Sequence, residues 1–135
     1  MARDVIHHIV RKALEKDGWK ITHDPYLLLN EPGQEVDLAA EKLLLANKGV
    51  NKIAVEIKSF TAASKIYKFY EALGQYISYA VGVEEQEPDR TLYIAMPDTV
   101  YDKIMTYSTV PESIKRGQMK FILIDLSNQN IVAWK

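Results

Sequence analysis

Three separated groups of residues in this chain have the types that metal-assisted hydrolysis of a phosphodiester requires. Asp37 stands near the start of one aliphatic segment, Glu56-Ile57-Lys58 lies inside the next, and Gln75 and Tyr79 follow four residues apart. Phosphodiester cleavage calls for a hard cation that polarises the phosphate and a positioned group that orients water. Oxygen ligands from Asp37, Glu56 and the backbone carbonyl of Ile57 suit Mg²⁺ or Mn²⁺, which take hard donors and retain several waters. The Lys58 ammonium would orient or deprotonate the attacking water, or neutralise charge growing on the phosphate. An amide and a phenol at helical spacing can meet, so Gln75 and Tyr79 are read as supporting groups that orient a water ligand or hold a phosphate.

These roles hold only if the surrounding elements bring the groups together. The segments 36–45 and 52–60 are rich in aliphatic residues and read as an antiparallel hairpin through Asn47-Lys48-Gly49. Side chains alternate along a strand, so Glu56 and Lys58 share one face while Ile57 points into the opposite layer. Counting back from that turn does not set Asp37 squarely across from Glu56, and a bulge or a wide loop is required. The clearest helix covers 64–82, with Ser64 as N-cap and Ile66, Phe69, Tyr70, Leu73, Ile77, Ala80 and Val81 on one apolar stripe. Lys68, Glu71, Gln75 and Tyr79 form a polar row opposite it.

The remaining elements enclose this centre. An amphipathic helix is expected over 4–17, stopped by Gly18, and a short strand over 19–22 that ends at Asp24-Pro25. A loop surrounds Glu31-Pro32-Gly33. After the polar stretch 84–89 come a strand over 91–95, a helix capped by Asp98, a short helix near Pro111, and two closing strands over 121–126 and 131–134. The order predicts an α/β fold with a central mixed β-sheet flanked by helices, in a single domain over 1–135.

Composition restricts the setting. At 135 residues and 47% hydrophobic, the chain is long enough for one core of its own. It has no apolar run near the length of a membrane span, no signal-like leader and no cysteine, and a cytoplasmic location without membrane attachment is expected. The formal charge of −1 is unusual for a protein that grips DNA through many phosphates. Either the positive charge is clustered on one face, or a partner or second subunit supplies it.

The set Asp37, Glu56-x-Lys58 and Gln75-x-x-x-Tyr79 resembles the PD-(D/E)xK nuclease superfamily, in particular its branches with a glutamine-tyrosine helix. Longer phrases go further. Lys16-Asp17-Gly18-Trp19-Lys20-Ile21-Thr22-His23-Asp24-Pro25, Val36-Asp37-Leu38-Ala39-Ala40-Glu41, Ile53-Ala54-Val55-Glu56-Ile57-Lys58-Ser59-Phe60 and Ala72-Leu73-Gly74-Gln75-Tyr76 are similar to XisH proteins of cyanobacteria, over essentially the whole chain. The resemblance implies a restriction-endonuclease-like fold and a role in controlling excision of the fdxN DNA element, together with the XisI protein and a site-specific recombinase. Val36 replaces the proline that names the superfamily. In many relatives the first helix adds an acidic group; Asp4 and Glu15 compete for that place, and Asp4, with His7 one turn on, is preferred.

Taken singly, each of these residues has an ordinary reading. A Glu-x-Lys on a strand is commonly an exposed ion pair of small value, Asp37 could cap a loop, Glu41 reads as a solvated charge, and Tyr79 could simply pack. Their combination in a strand that should be central favours a site, because buried ionic groups are costly unless paired or liganded. The first expectation is therefore a DNA-processing factor with metal-dependent phosphodiester cleavage. The second is a non-catalytic module that holds XisI and assists the recombinase. RNA is a third substrate, since metal chemistry alone does not read the sugar. An apolar, tyrosine-rich surface near the chain end, including Trp134, is the expected place for pairing into a homodimer.

Overall fold

A computed structural model of the chain describes residues 2–30, 32–44, 49–60 and 65–135, with the side chains of 2–4 and 44 left undescribed. The first helix, α1 (Ala2–Lys16), buries Ile6, Val10, Ala13 and Leu14, the positions that recur at helical spacing. It stops where expected: Gly18 takes a φ of 93°, and the Gly18 and Trp19 amides donate to the carbonyls of Glu15 and Leu14. That left-handed turn suits glycine, which has no Cβ to clash.

Next come β1 (Lys20–His23), the two-residue strands β2 (Tyr26–Leu27) and β3 (Glu35–Val36), and the long pair β4 (Leu38–Leu44) and β5 (Gly49–Ile57). Helix α2 (Lys65–Gln86) leads to β6 (Arg90–Pro97), and α3 (Asp98–Ile104) and α4 (Val110–Arg116) lead to β7 (Phe121–Asp125) and β8 (Asn130–Trp134). The six-stranded sheet has the order β1-β4-β5-β6-β7-β8, and β2 pairs with β3 beside it. Pairing is antiparallel for β1/β4, β4/β5 and β7/β8 and parallel for β5/β6 and β6/β7, so the sheet is mixed as expected. A parallel neighbour needs a crossover. Helix α2 supplies the first, and the α3-α4 pair supplies the second.

Alternation along the strands sorts the core into two layers. Leu38, Ala40, Ile53, Val55, Ile122 and Ile124 pack with α1, whereas Ala39, Ala54, Ile94, Phe121 and Leu123 pack with Phe69, Ala72, Tyr76 and Val83 of α2 and with Ile104 and Val110. Each fully buried large side chain contributes roughly 1.5–3 kcal/mol. The same alternation puts the even-numbered side chains of β5, and hence Glu56 and Lys58, on the α2 side, while Ile57 packs on the α1 side.

Several expectations are corrected. Pairing from Leu38↔Val55 to Leu44↔Gly49 runs without a register shift, so no bulge intervenes, and Gly49 belongs to the strand. The connection spans 45–48, wider than the turn read from Asn47-Lys48-Gly49; Asn47 and Lys48 lie outside the described residues, as does the N-cap position Ser64. Helix α2 is one turn longer than read, and only part of the expected stripe turns inward: Ile66, Phe69, Leu73 and Ala80 pack on the core, while Tyr70, Ile77 and Val81 are exposed. Asp98 is the first residue of α3 and caps nothing beyond its neighbour's amide; its carboxylate accepts from Thr99 N at 2.8 Å. The loop around Pro32-Gly33 is flanked by β2 and β3, whose two-residue lengths give no alternation to detect. Trp134 meets Trp19 at a tilt and Tyr93 edge-on, with ring centroids 5.7 and 5.1 Å away, and with Val132 it remains partly exposed at the end of the chain. Among the described residues no helix is long and apolar enough to cross a membrane.

Candidate active site

The site forms where β4 and β5 part. Leu38 is the first residue of β4 and pairs with Val55, so one further step of the ladder, toward the start of the chain, sets Asp37 across from Glu56. Side chains continue the ladder there. The Ile57 amide donates to Asp37 Oδ2 at 2.8 Å, and the Asp37 amide donates to Glu56 Oε1 at 3.3 Å. Lys58 Nζ lies 3.5 Å from Glu56 Oε2, and its backbone amide is tied to Ala95 O of β6 at 2.9 Å. Two carboxylates and one ammonium thus converge from two strands. Beyond them Phe60, which also lines the cavity, takes a φ of 50° while burying its ring, an uncommon backbone for a bulky residue.

Burial sets the electrostatics. The Glu56 side chain is only 12% exposed, and its pKa is pushed from about 4.5 up to about 7, first by lost hydration and next by the nearby Asp37 charge; Lys58 opposes both. One ammonium does not offset two facing carboxylates. Tyr79 is raised as well, by burial first and then by the charges of Glu56, Asp37 and Glu35, while a hydrogen bond with Gln75 pulls it down. Gln75 and Tyr79 both line the cavity over these groups, and the Tyr79 phenol lies within the field of the carboxylate pair.

A cavity of about 600 Å³ opens over this floor and is lined by Asp37, Glu56, Ile57, Lys58, Gln75, Tyr79 and His7. Glu35, Ser59, Lys68 and Glu71 also line it. Glu35 escaped the sequence reading, although its place two residues before Asp37 is the alternation signal that could have found it. On α1, His7 Nε2 lies 2.9 Å from Asp24 Oδ1, and Arg11 Nη1 donates to Asp24 Oδ2 at 2.6 Å, so the partner given to His7 is Asp24. The Asp4 side chain lies outside the described residues. Glu15 is not among the lining residues; it sits on the exposed side of α1, 4.0 Å from Arg11. Glu41, read as a solvated charge, instead lies 3.6 Å from the buried Arg90.

The donor set fits a hard divalent cation. Both acidic groups present oxygen, and their mutual repulsion is relieved by a positive ion. Among the described residues no group of three or more His, Asp or Glu side chains could hold a metal, so further ligands would have to be the Ile57 carbonyl and water. Mg²⁺ and Mn²⁺ tolerate that composition because they keep several waters.

Comparison with known proteins gives a consistent family. No curated protein matches the chain at a significant level. An XisH family protein from Nostoc punctiforme has a crystal structure similar to this one, with a TM-score of 0.81 and 36% identity over 96% of this chain and 98% of that one. The crystal structure of an fdxN element excision controlling factor protein from Anabaena variabilis is likewise similar, with a TM-score of 0.81 and 38% identity over 97% of this chain and 98% of that one. The family model described as XisH protein matches residues 1–132. With nearly its full length matched in both sequence and fold, the chain belongs to the XisH family.

Proposed function

We propose that this protein is an XisH-type controlling factor for excision of a DNA element, and that it carries a Mg²⁺-dependent or Mn²⁺-dependent phosphodiester-cleaving site of the PD-(D/E)xK kind. The observation that supports this reading is the convergence of Asp37, Glu56 and Lys58 on the floor of one cavity. Asp37, Glu56 and the Ile57 carbonyl would hold the cation, which supplies polarisation of the phosphate and a more acidic water when bound. Lys58 holds its ammonium beside Glu56, where it can orient water and neutralise charge on a phosphate oxygen. Gln75 and Tyr79, neighbours on the facing helix, would orient water or a phosphate oxygen from the other wall. His7, on the third wall, is held by Asp24, and there it would meet the nucleic-acid backbone.

Purified protein incubated with each metal on single-stranded, double-stranded and branched DNA tests the chemistry. Cleavage that requires metal and is lost in Lys58→Ala is the expected result. No product on any substrate, with wild type and Lys58→Ala alike, removes the enzymatic reading.

The net charge of −1 favours a second reading, in which the same fold serves as a non-catalytic module that binds XisI and assists the recombinase. An excision assay separates the two. Normal excision by Lys58→Ala, together with capture of XisI by both forms, selects the module; loss of excision with XisI still captured selects the site.

A further inference from the structure

A second cavity, of about 450 Å³, shares His7 with the first and is lined otherwise by His8, Arg11 and Asp24. It offers hydrogen-bond donors where the first offers carboxylates. The fold sets both at one end of the sheet: His23 pairs with Ala39, two residues past Asp37, and Asp24 follows directly, one strand out from β4. Strands β1 and β5 flank β4, so their backbones stand about 10 Å apart. A short run of nucleotides spans that reach.

Asp24 fixes the donors around it. Its Oδ1 lies 2.9 Å from His7 Nε2, and its Oδ2 accepts from Arg11 Nη1 at 2.6 Å. His7 and Arg11 stand four residues apart on α1 and so share one side of the helix, with side chains only 29 and 38% exposed. A guanidinium carries five N–H donors in a planar fork, and among the described residues Asp24 takes one of them; Glu15, 4.0 Å from Nε, is beyond hydrogen-bonding reach. The other donors match the oxygens of a phosphate. His8, about 100° further round the helix than His7, stands at the exposed rim.

We infer that the second cavity is a phosphate subsite: a DNA strand whose scissile phosphate sits over Asp37 and Glu56 runs past His7 and sets a flanking phosphate on Arg11. This rests on reading the first cavity as a phosphodiester site, and it adds what that cavity lacks. Among its described lining residues Glu35, Asp37, Glu56 and Glu71 outnumber Lys58 and Lys68, so a polyanion approaching it needs an anchor elsewhere. Arg11 is that anchor. Asp24 is its positioning residue, since one carboxylate aims both the fork and the imidazole that separates the two cavities.

Fluorescence anisotropy with labelled single-stranded and duplex DNA in EDTA reads the subsite without cleavage. Arg11→Gln is expected to weaken binding about tenfold and to make the logarithmic salt slope shallower by about one. Lys12→Gln removes the same charge from the next, exposed position of α1, and less than about a twofold loss is expected there. Arg11→Lys keeps the charge without the fork, so the slope of wild type with binding about threefold weaker is expected. Circular dichroism checks the fold of each variant. Equal losses in Arg11→Gln and Lys12→Gln, a slope unchanged in Arg11→Gln, or no binding of wild type to either DNA at the highest attainable concentration overturns the subsite. If Arg11→Gln does not fold, wild-type crystals soaked in tungstate, a phosphate stand-in, decide: an anomalous peak beside the Arg11 guanidinium is expected, and none there overturns the subsite. Cleavage is read separately. Binding that behaves as expected with no metal-dependent product removes the hydrolysis alone, whereas cleavage by wild type with Arg11→Gln binding like wild type removes the subsite alone.

Discussion

Glu56 is held at an electrostatic disadvantage that one backbone hydrogen bond and one lysine do not remove. Its pKa lies near 7 in the folded protein and near 4.5 otherwise. Between those values the native state holds a proton that the unfolded chain has released, so stability falls as pH rises across the window; below about 4.5 both states are protonated and the penalty is absent. Glu56→Gln should therefore raise the melting temperature at pH 8 by on the order of 5 °C, and the gain should vanish toward pH 4.5 in a thermal melt followed by circular dichroism. A gain that is the same at both pH values would mean that packing, and not charge, is responsible. A cation that binds here displaces the same proton. Calorimetric Mn²⁺ affinity is expected to tighten about tenfold per pH unit below 7 and to level off above it. At this scale the sequence was informative: strand alternation placed Glu56 and Lys58 on one face and Ile57 on the other. What it did not supply was the partner of His7, since Asp24 is seventeen residues away and joins it only through the packing of α1 against β1.

Among the elements, β6 is anchored at its start by a buried cation. The Arg90 side chain is 1% exposed; Nη1 donates to Ile53 O at 2.9 Å, Nε donates to Glu87 Oε1 at 2.9 Å, and the guanidinium lies 5.0 Å from the centre of the Tyr26 ring. Tyr26 donates to the same Glu87 carboxylate at 2.7 Å, and Arg90 holds the Glu87 pKa down at about 2. The end of α2, β2 and the middle of β5 are thus fastened together. Replacing Arg90 by Met leaves Glu87 without its main partner, and chemical denaturation should show a loss of about 3–5 kcal/mol. Lys52, not Glu56, is the β5 residue beside Arg90, and Glu56 lies about 13 Å further along the strand. Folded Arg90→Met protein should therefore bind Mn²⁺ like wild type. Element type and order were legible because long segments repeat their apolar residues at helix or strand spacing. The inward face of α2 was not, because a helix apolar on two sides satisfies a periodicity test in two phases. The pairing of β2 with β3 joins segments too short to carry any period.

For the whole molecule, charge limits how DNA would be held under the proposed function. Among the described residues, the cationic and imidazole groups at or beside the cavity, Lys58, Lys68, His7 and Arg11, are few, and Lys58, Lys68 and Arg11 each face a carboxylate. Binding to duplex DNA measured by fluorescence anisotropy should weaken only shallowly with salt, with a logarithmic slope no steeper than about −3, corresponding to two or three neutralised phosphates. A slope several times steeper would show a basic face that this arrangement lacks. The mixed sheet with helices on both sides was readable from the order of elements. The joining of its two halves into one cavity was not, because that depends on register. Counting from Asn47-Lys48-Gly49 leaves a bulge and a wide loop as alternatives, and the unshifted pairing from Leu44↔Gly49 to Leu38↔Val55 excludes the bulge between them.

The central claim is that Asp37 and Glu56 together hold a divalent cation, and anomalous diffraction from crystals soaked in Mn²⁺ tests it without knowledge of the substrate. The expected map has one peak within about 2.2 Å of an oxygen from each carboxylate, absent from Glu56→Gln crystals soaked in the same way. A blank map at saturating Mn²⁺ and alkaline pH, or a peak unchanged in Glu56→Gln, would contradict it.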